Sequence, residues 1–295
     1  MNYQIQKQIP SVNFHLWQPC NMQCKFCFAG FLDVKSTILP KGHLPKEDAL
    51  RVVRSIGYAG FEKITFAGGE PTLCPWLIDL VSLAKELGMT TMLVTNGSKI
   101  NDAFLKEYSK ILDWIVLSID SINVETNKHI GRMERSKKAI EKQEYIDLTL
   151  KIKNAGYQLK INTVVTRLNY TEDLSELIKS ARPERWKIFQ VLAIDGQNDR
   201  SVESLTVSVE QFNKFLKKHK LLAKYTTVVS EDNSLMKDSY VMIDPAGRFY
   251  TNKTGSHVYS QPILDIGLKK AYKSMHYNYE NFKNRGGIYN WQNLT

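Results

Sequence analysis

Long apolar runs are missing from this 295-residue sequence, and cysteine is scarce. No apolar stretch approaches the roughly 18 residues that predict a membrane-spanning helix, and the first ten residues are too polar for a secretory signal peptide. Four cysteines, three of them within eight residues, exclude a disulfide scaffold. We therefore expect a soluble, cytoplasmic protein without membrane attachment.

Low-complexity tracts and internal repeats are also absent, and the 43% hydrophobic fraction is sufficient for a sizeable core. The formal net charge of +10 favours acidic partners in general, such as nucleic acid, an anionic membrane or a polyphosphate ligand. Charge alone selects none of these, and a solvated basic surface would explain it equally well.

Short β-branched runs alternate with amphipathic segments through the first two thirds of the chain. The predicted strands are Val12–Trp17, Lys63–Ala67, Thr91–Thr95, Trp114–Asp120, Leu159–Val165 and Lys187–Ala193. The predicted helices are Lys46–Ala59, Trp76–Leu87, Ala103–Lys110, Tyr145–Asn154 and Thr171–Ala181. Six β-then-α units indicate an α/β fold with a parallel sheet, either doubly wound or bent into a barrel.

The pattern loosens after residue 197. A basic helix is predicted at Ser208–Lys220, followed by short strands at Thr226–Ser230 and Tyr240–Asp244. We expect a lead-in at 1–10, a core at 11–197, and an extension at 198–295 that covers the core.

Cys20, Cys24 and Cys27 form a C-x₃-C-x₂-C motif. Thiolates ligate iron in Fe–S clusters, and three ligands for four irons leave one iron open to a small molecule. The alternative is a zinc site with His15 as the fourth ligand. Cys74 stands apart and is predicted to be a small buried hydrophobe.

Polar and glycine residues follow three predicted strands: Gly68-Gly69-Glu70, Thr95-Asn96-Gly97, and Ser118 with Asp120. Glycine lets a backbone approach a ligand closely, and a carboxylate can accept hydrogen bonds from an ammonium group. Active sites of parallel α/β folds gather at the C-terminal ends of the strands, so one common site is predicted.

The cysteine spacing, with Phe26 before the last cysteine, resembles the radical S-adenosylmethionine (SAM) superfamily. The resemblance implies a partial (β/α)₆ TIM-type barrel, a [4Fe–4S] cluster on the three cysteines, and SAM on the open iron. It also implies that a 5′-deoxyadenosyl radical abstracts hydrogen from the substrate. The residues implied in SAM binding are Phe26, Gly68, Gly69, Glu70, Thr95, Asn96, Ser118, Asp120 and Arg132.

Within that superfamily, the chain resembles viperin and its prokaryotic relatives. The matching segments are residues 11–15, 160–162, 185–190, 236–240 and 285–291. The resemblance implies a nucleoside triphosphate substrate (CTP, UTP or GTP), whose C4′ hydrogen is abstracted and whose 3′-hydroxyl leaves as water. The implied product is a chain-terminating, antiviral 3′-deoxy-3′,4′-didehydro nucleotide. An electron donor such as a flavodoxin or ferredoxin is expected, with a monomeric enzyme and no stable nucleic-acid partner.

Two predicted strands carry cations that suit a triphosphate. Lys160 and Asn162 share one face of their strand, as Arg185 and Lys187 do on the next. Buried cations need a ligand or an acidic neighbour, so salt bridges to carboxylates such as Glu184 are the alternative.

Three further regions are predicted to contact the nucleotide. Tyr240 could reach the phosphates or act as a weak general acid toward the departing hydroxyl, and is otherwise a core tyrosine. Asn13 is predicted to lie near the base. We expect residues 286–291 to order over bound nucleotide as a lid.

Two other functions compete with this hypothesis. A different radical SAM enzyme could modify a peptide or protein, although such enzymes often carry further cysteine clusters and this chain has no cysteine after Cys74. A non-enzymatic nucleic-acid-binding protein with a structural Fe–S cluster would explain the basic charge, but not the polar residues at the strand ends.

Overall fold

The computed structural model describes residues 9–136 and 138–291. Within these residues ten strands form a single sheet. In chain order they are β1 (Ser11–Trp17), β2 (Lys63–Gly68), β3 (Thr90–Thr95), β4 (Trp114–Ser118), β5 (Gln158–Val165), β6 (Arg185–Gln190), β7 (Thr227–Glu231), β8 (Val241–Ile243), β9 (Arg248–Thr251) and β10 (Val258–Pro262). The order across the sheet is β10-β9-β8-β1-β2-β3-β4-β5-β6-β7.

Helices connect most of these strands. They are α1 (Lys46–Tyr58), α2 (Leu77–Glu86), α3 (Asp102–Tyr108), α4 (Val124–Ile130), α5 (Lys142–Asn154), α6 (Ser175–Ala181), α7 (Asp199–Val202), α8 (Val209–His219), α9 (Asn233–Met236), α10 (Ile263–Ile266), α11 (Leu268–Lys273) and α12 (Tyr279–Asn284). In the part of the chain that the structure covers, no helix combines the length and apolarity needed to cross a bilayer.

The sheet is curled into a partial barrel. Strands β1 to β6 are consecutive parallel neighbours. Lys187 on β6 nevertheless donates a hydrogen bond to the hydroxyl of Tyr240, which directly precedes β8, at 3.0 Å. Five strands separate β6 from β8 in the sheet, so the two side chains can meet only if the sheet curls around a common interior. The predicted partial barrel is confirmed over the doubly wound alternative.

The apolar core lies between the outer face of this sheet and the helices. Alternate residues of the strands, such as Val12 and Phe14 of β1, are fully buried. Helix α1 buries Val52, Val53 and Ile56 on one face. Burying each such side chain contributes about 1.5–3 kcal/mol, which holds the strand ends in fixed positions for the site above them.

Several element bounds differ from the sequence predictions. Strand β6 begins at Arg185 and ends at Gln190, so it starts two residues earlier and ends three earlier than predicted. Helix α6 begins at Ser175 and not at Thr171. The carboxylate of Glu172 instead accepts a hydrogen bond from Ser121 at 2.5 Å, which ties that segment to the turn after β4.

The extension after residue 197 contributes four strands to the sheet. Strand β7 pairs with β6, β8 pairs with β1, and β9 and β10 add antiparallel strands at that edge. Strands β9 and β10 were not predicted, because they are short and lack a clear alternation of apolar and polar residues. The extension is therefore part of the sheet as well as a neighbour of the barrel interior.

Candidate active site

The three cysteines lie on the segment that follows β1, here called the cysteine loop (residues 18–30). All three are partly buried. Cys20 Sγ accepts a hydrogen bond from the backbone N–H of Met22 at 3.4 Å. Burial raises the pKa of each thiol to about 11, and the charges of the other cysteines add to the effect. The thiols therefore face a common space, where a cationic cluster would favour their thiolate forms.

A zinc site with His15 is not supported. Within residues 9–136 and 138–291, no three His, Cys, Asp or Glu side chains are arranged to hold a single metal ion. His15 packs among aromatic rings, with centroids 5.4 Å from Phe31 and 5.7 Å from Tyr250. A cubane of four irons is wider than one ion and needs only three thiolates, so the three cysteines fit a [4Fe–4S] cluster better than they fit zinc.

Glycines hold the cysteine loop on two sides. A Cβ atom on Gly69 would collide with the carbonyl oxygens of Gln18 and Pro19. On the other side, a Cβ atom on Gly131 would collide with the carbonyl oxygen of Gln23, and the φ of Gly131 is +79°. Only glycine permits both approaches. Gly69 and Gly131 therefore set the position of the cysteine loop, and the predicted contacts of Gly68 and Gly69 with SAM stay predictions.

The carboxylate of Glu70 is fully buried between two strand ends. Its Oε1 accepts hydrogen bonds from Thr72 Oγ1 at 2.6 Å and from Thr95 Oγ1 at 2.7 Å, and its Oε2 accepts from the N–H of Asn96 at 2.8 Å. Burial raises its pKa, and these hydrogen bonds oppose the rise. Glu70 thus ties the end of β2 to the turn after β3. Its predicted contact with the SAM ammonium stays a prediction.

The turn after β3 is also tied to the cysteine loop. The side-chain amide of Asn96 donates to Asn21 Oδ1 at 2.8 Å, and the amide of Asn21 donates to Ser98 Oγ at 2.8 Å. Asn96 and Thr95 therefore lie beside the cysteines, at the same end of the barrel.

Asp120 and Arg132 form a buried ion pair near the cysteines. Asp120 Oδ1 also accepts from the N–H of Val164 at 2.7 Å. The Arg132 guanidinium lies 5.5 Å from the centroid of the Phe26 ring. Although burial opposes it, the charge of Asp120 raises the pKa of Arg132. Asp120, Arg132 and Phe26 come together as a group, and their predicted contacts with SAM remain predictions.

Ser118 and Asn162 lie side by side in the sheet, as do Asn162 and Lys187. The Oδ1 atom of Asn162 is buried and has no hydrogen-bond partner among the described residues. Such an orphaned acceptor inside the barrel fits a bound ligand that supplies a donor. Asn13 of β1 lies beside Met242 of the neighbouring strand β8, and its predicted place near the base stays a prediction.

The predicted cations converge on one wall of the barrel interior. Lys160 lies directly opposite Arg185 in the sheet, and Asn162 directly opposite Lys187. Glu184 is not their partner: it pairs with Lys153 at 3.3 Å and accepts from the N–H of Leu159 at 2.6 Å. Glu184 is therefore not the carboxylate that pairs with these cations, but the expected salt bridge to a carboxylate exists between Lys187 and Glu231.

Two further cations join this group. Lys63 of β2 and Arg285 after α12 act electrostatically on the same residues. We call these five residues the cation cluster: Lys63, Lys160, Arg185, Lys187 and Arg285. Burial, and then the charges of Lys187 and Lys63, lower the pKa of Lys160 well below its usual value. Among the described residues the Lys160 ammonium has no hydrogen-bond or ion-pair partner.

A single carboxylate, Glu231, contacts the cation cluster within the described chain. It is fully buried at the end of β7, forms an ion pair with Lys187, and lies 3.7 Å from Arg285. Glu231, Lys63 and the role of Arg285 were not predicted from the sequence. A signal was present for Lys63 and Glu231, because each is a charged residue at one end of a predicted strand or next to it.

Tyr240 lies inside the cation cluster. Its hydroxyl donates to Glu231 Oε2 at 2.5 Å and accepts from Lys187 at 3.0 Å. The guanidinium of Arg285 stacks 3.5 Å from the centroid of its ring. Burial raises the pKa of Tyr240 well above its usual value, so the phenol is a neutral donor. The core-tyrosine alternative does not describe a side chain with so many polar contacts.

Residues 286–291 close the other end of the barrel. The carbonyl of Gly286 accepts from Arg185 at 2.8 Å, and the Tyr289 hydroxyl accepts from Lys63 at 3.1 Å. The carbonyl of Trp291 accepts from the indole N–H of Trp114 at 2.9 Å. Lys63 and Trp114 begin their strands, so the segment lies at the N-terminal ends of the strands and away from the cysteines. Ordering over bound nucleotide stays a prediction.

Comparison with known proteins decides the family. A model of the radical SAM superfamily matches residues 17–181, more than half of the chain. A Flammeovirga pacifica protein named S-adenosylmethionine-dependent nucleotide dehydratase is 53% identical over 96% of this chain and 97% of that protein. The chain belongs to this radical SAM family, the viperin type.

Other members of the family agree. A Lacinutrix mariniflava protein of the same name is 57% identical over 96% of this chain, which spans only 59% of that protein's length. A Danio rerio member, the S-adenosylmethionine-dependent nucleotide dehydratase RSAD2, is 36% identical over 95% of this chain and 78% of its own length. The predicted family is confirmed, and with it the [4Fe–4S] cluster and SAM as the cofactors that the superfamily uses.

Solved structures confirm the fold. The enzyme anSMEcpe, crystallised with bound AdoMet and a peptide, aligns with a TM-score of 0.67 and 17% identity over 94% of this chain and 82% of its own. SuiB from Streptococcus suis aligns with a TM-score of 0.62 and 16% identity over 81% of this chain and 59% of its own. At such identities the likeness concerns the fold alone.

Proposed function

We propose that this chain is a radical SAM nucleotide dehydratase that converts a nucleoside triphosphate to its 3′-deoxy-3′,4′-didehydro analogue. The observation that carries the proposal is the cation cluster. Five cationic side chains meet inside the barrel, four of them on strands β2, β5 and β6 and the fifth, Arg285, directly after α12. Family membership supplies the reaction class, and the cation cluster supports the substrate class.

The cysteine end of the barrel would hold the cofactors. Cys20, Cys24 and Cys27 would ligate the cluster, while the glycine turn after β2 and the turn after β3 would line the SAM site. When bound, the cluster and SAM supply a 5′-deoxyadenosyl radical that takes the C4′ hydrogen of the ribose. Glu70 ties these two turns together, and the buried Asp120–Arg132 pair lies beside the cysteine loop at the same end of the barrel.

The cation cluster would hold the phosphates. A triphosphate carries about four negative charges and is bound best by several converging cations. Lys160 and Lys187 lie on the neighbouring strands β5 and β6, two positions apart in register, and burial lowers the pKa of both. A bound polyanion would favour the charged form of the Lys160 ammonium group. Without a bound anion, the cation cluster is a costly arrangement of like charges, which favours a functional over a purely structural role.

The ribose would lie between the two ends, near Asn162 and Tyr240. Loss of the 3′-hydroxyl as water consumes one proton and one electron. Tyr240 is a neutral phenol within the cation cluster, so it could orient the phosphates or serve as a weak general acid for the departing hydroxyl. Asn13 would lie near the base.

The competing functions are less well supported. A nucleic-acid-binding protein needs its cations on the surface, whereas Lys63, Arg185, Lys187 and Arg285 are each less than a tenth exposed. A peptide substrate gives no reason for four buried cations beside the half-buried Lys160. We further propose CTP, UTP or GTP as the substrate, a flavodoxin or ferredoxin as the electron donor, and a cytoplasmic monomer with an antiviral product.

Nucleotide-dependent SAM cleavage tests the proposal. The cluster is reconstituted anaerobically, SAM and dithionite are added, and 5′-deoxyadenosine is measured with ATP, CTP, GTP and UTP in turn. We expect rapid formation with one or two nucleotides and slow formation without nucleotide. Lys187→Ala should lose the nucleotide dependence while its cluster absorption is unchanged. Equal, slow cleavage with all four nucleotides would overturn the substrate assignment.

A further inference from the structure

Glu231 has no role in the reaction outlined above, yet it is fully buried among the cation cluster. A carboxylate beside a triphosphate site would repel the ligand, so its presence there needs an explanation. The arrangement around it is specific. Oε1 contacts the Lys187 ammonium, and Oε2 accepts a hydrogen bond from the Tyr240 hydroxyl at 2.5 Å.

The geometry accounts for the donors of Lys187. An ammonium has three N–H donors. One is directed to Glu231 Oε1 and one to the Tyr240 hydroxyl at 3.0 Å. Because the phenol O–H donates its hydrogen bond to Glu231, the oxygen lone pairs are free to accept from Lys187. One ammonium donor then remains for a phosphate oxygen.

The charges around Lys187 also indicate that Glu231 is its counter-charge. Lys63, Lys160, Arg185 and Arg285 surround it, and among the described residues Glu231 is the one carboxylate in contact with the cation cluster. Tyr240 and Tyr289 are the remaining titratable neighbours, and burial raises the pKa of both. Without Glu231, four positive charges would act on the Lys187 ammonium with no opposing charge in contact.

We propose that Glu231 is a positioning residue of the nucleotide site, which keeps Lys187 ionised in the empty pocket and leaves one ammonium donor directed at the triphosphate. The inference rests on the proposed function only in that the pocket takes a triphosphate. Binding then needs no proton uptake at Lys187 at neutral pH. Burial lowers the pKa of Lys187 to about 8, while the charge of Glu231 opposes the shift.

The pH dependence of binding tests this role. Inorganic tripolyphosphate is titrated calorimetrically, at several pH values, into the reconstituted holoenzyme with SAM. Wild-type affinity should fall above about pH 8. In Glu231→Gln the fall should begin about one pH unit lower, giving roughly threefold weaker binding at pH 7.5 and approaching roughly tenfold above about pH 9. At pH 6 the variant should bind at least as tightly as wild type, because a like charge has been removed.

Two variants complete the test. Glu184→Gln, a carboxylate next to β6 but outside the cation cluster, should follow the wild-type curve. Glu231→Asp should restore the wild-type onset and decides the question if Glu231→Gln does not fold. Tripolyphosphate itself gains and loses protons with pH in the same way in every titration. The test therefore compares the pH onset of each variant with that of wild type.

The inference would be overturned if affinity began to fall at the same pH in wild type and Glu231→Gln, or at a lower pH in Glu231→Asp than in wild type. A wild-type protein that binds SAM but neither tripolyphosphate nor any nucleoside triphosphate would instead overturn the proposed function.

Discussion

Asp120 holds Arg132 in a buried ion pair beside the cysteine loop, and each side chain is less than a tenth exposed. Asp120→Asn keeps the acceptor for the N–H of Val164 but leaves the guanidinium without its counter-charge. An uncompensated buried charge costs about 3–5 kcal/mol, so the free energy of unfolding should fall by that amount.

Urea unfolding measures this loss. Asp147→Asn, on the exposed face of α5, is the matched control and should change the free energy of unfolding by less than about 0.5 kcal/mol. If the two variants are equally stable, the ion pair does not carry the structural role given to it here.

Gly131 packs against the cysteine loop, and Gly88, which contacts nothing at its Cβ position, is its matched control. Both have positive φ angles, +79° and +80°, so an alanine at either position costs about 1–2 kcal/mol of backbone strain. Only at Gly131 would the new Cβ collide with a neighbour, the carbonyl oxygen of Gln23. Gly131→Ala should therefore lose cluster absorbance on reconstitution, and Gly88→Ala should retain it. Full absorbance in both would contradict the close packing.

The cluster assignment predicts a clear difference among the four cysteines. Replacing Cys20, Cys24 or Cys27 by alanine removes one of three ligands, so the visible absorbance of the cluster and all SAM cleavage should be abolished. Cys74→Ala should keep both, because Cys74 is a buried member of the apolar core. Iron content and 5′-deoxyadenosine formation are the measurements. Cleavage that persists in any of the first three variants would refute the ligand set.

Much of the barrel follows from the sequence. The alternation of β-branched strands with amphipathic helices reflects burial on one face, which is a local property, and the six core strands were found where it predicts them. Lys160 and Lys187 were placed correctly on one face for the same reason. Gly88 and Gly156 follow two of the predicted helices, where glycine commonly ends a helix, and both have positive φ angles.

The remaining features depend on how the sheet curls. Glu231 meets Lys187 and Tyr240 because β7 and the residue before β8 lie across the same interior, which no local pattern reveals. Tyr289 reaches Lys63 over 226 positions of sequence. The zinc alternative failed for a similar reason, since His15 belongs to an aromatic group with Tyr250, far along the chain.

His15 makes the fold sensitive to acid. Burial, with a smaller contribution from the charge of His257, lowers its pKa to about 3. Its Nδ1 atom is buried without a partner among the described residues. In the unfolded chain the His15 imidazole binds a proton near pH 6.5, whereas in the folded chain it does not. The free energy of unfolding therefore decreases as the pH falls below that value.

The expected loss from His15 is about 1.4 kcal/mol at pH 5.5. Urea unfolding at pH 7.5 and 5.5 measures it, and His15→Phe should show a smaller difference between the two pH values. His276→Gln, at an exposed position, should behave as wild type does. Equal acid sensitivity of His15→Phe and wild type would mean that other groups cause the loss.

The central claim is that the C4′ hydrogen of a nucleoside triphosphate bound in this barrel is abstracted and its 3′-hydroxyl is lost. The most direct measurement uses a nucleotide deuterated at C4′, with mass spectrometry of both products. We predict deuterium in the 5′-deoxyadenosine and a nucleotide product lighter by the C4′ deuterium and the 3′-hydroxyl. Unlabelled 5′-deoxyadenosine with an unchanged nucleotide, for all four bases, would contradict the account.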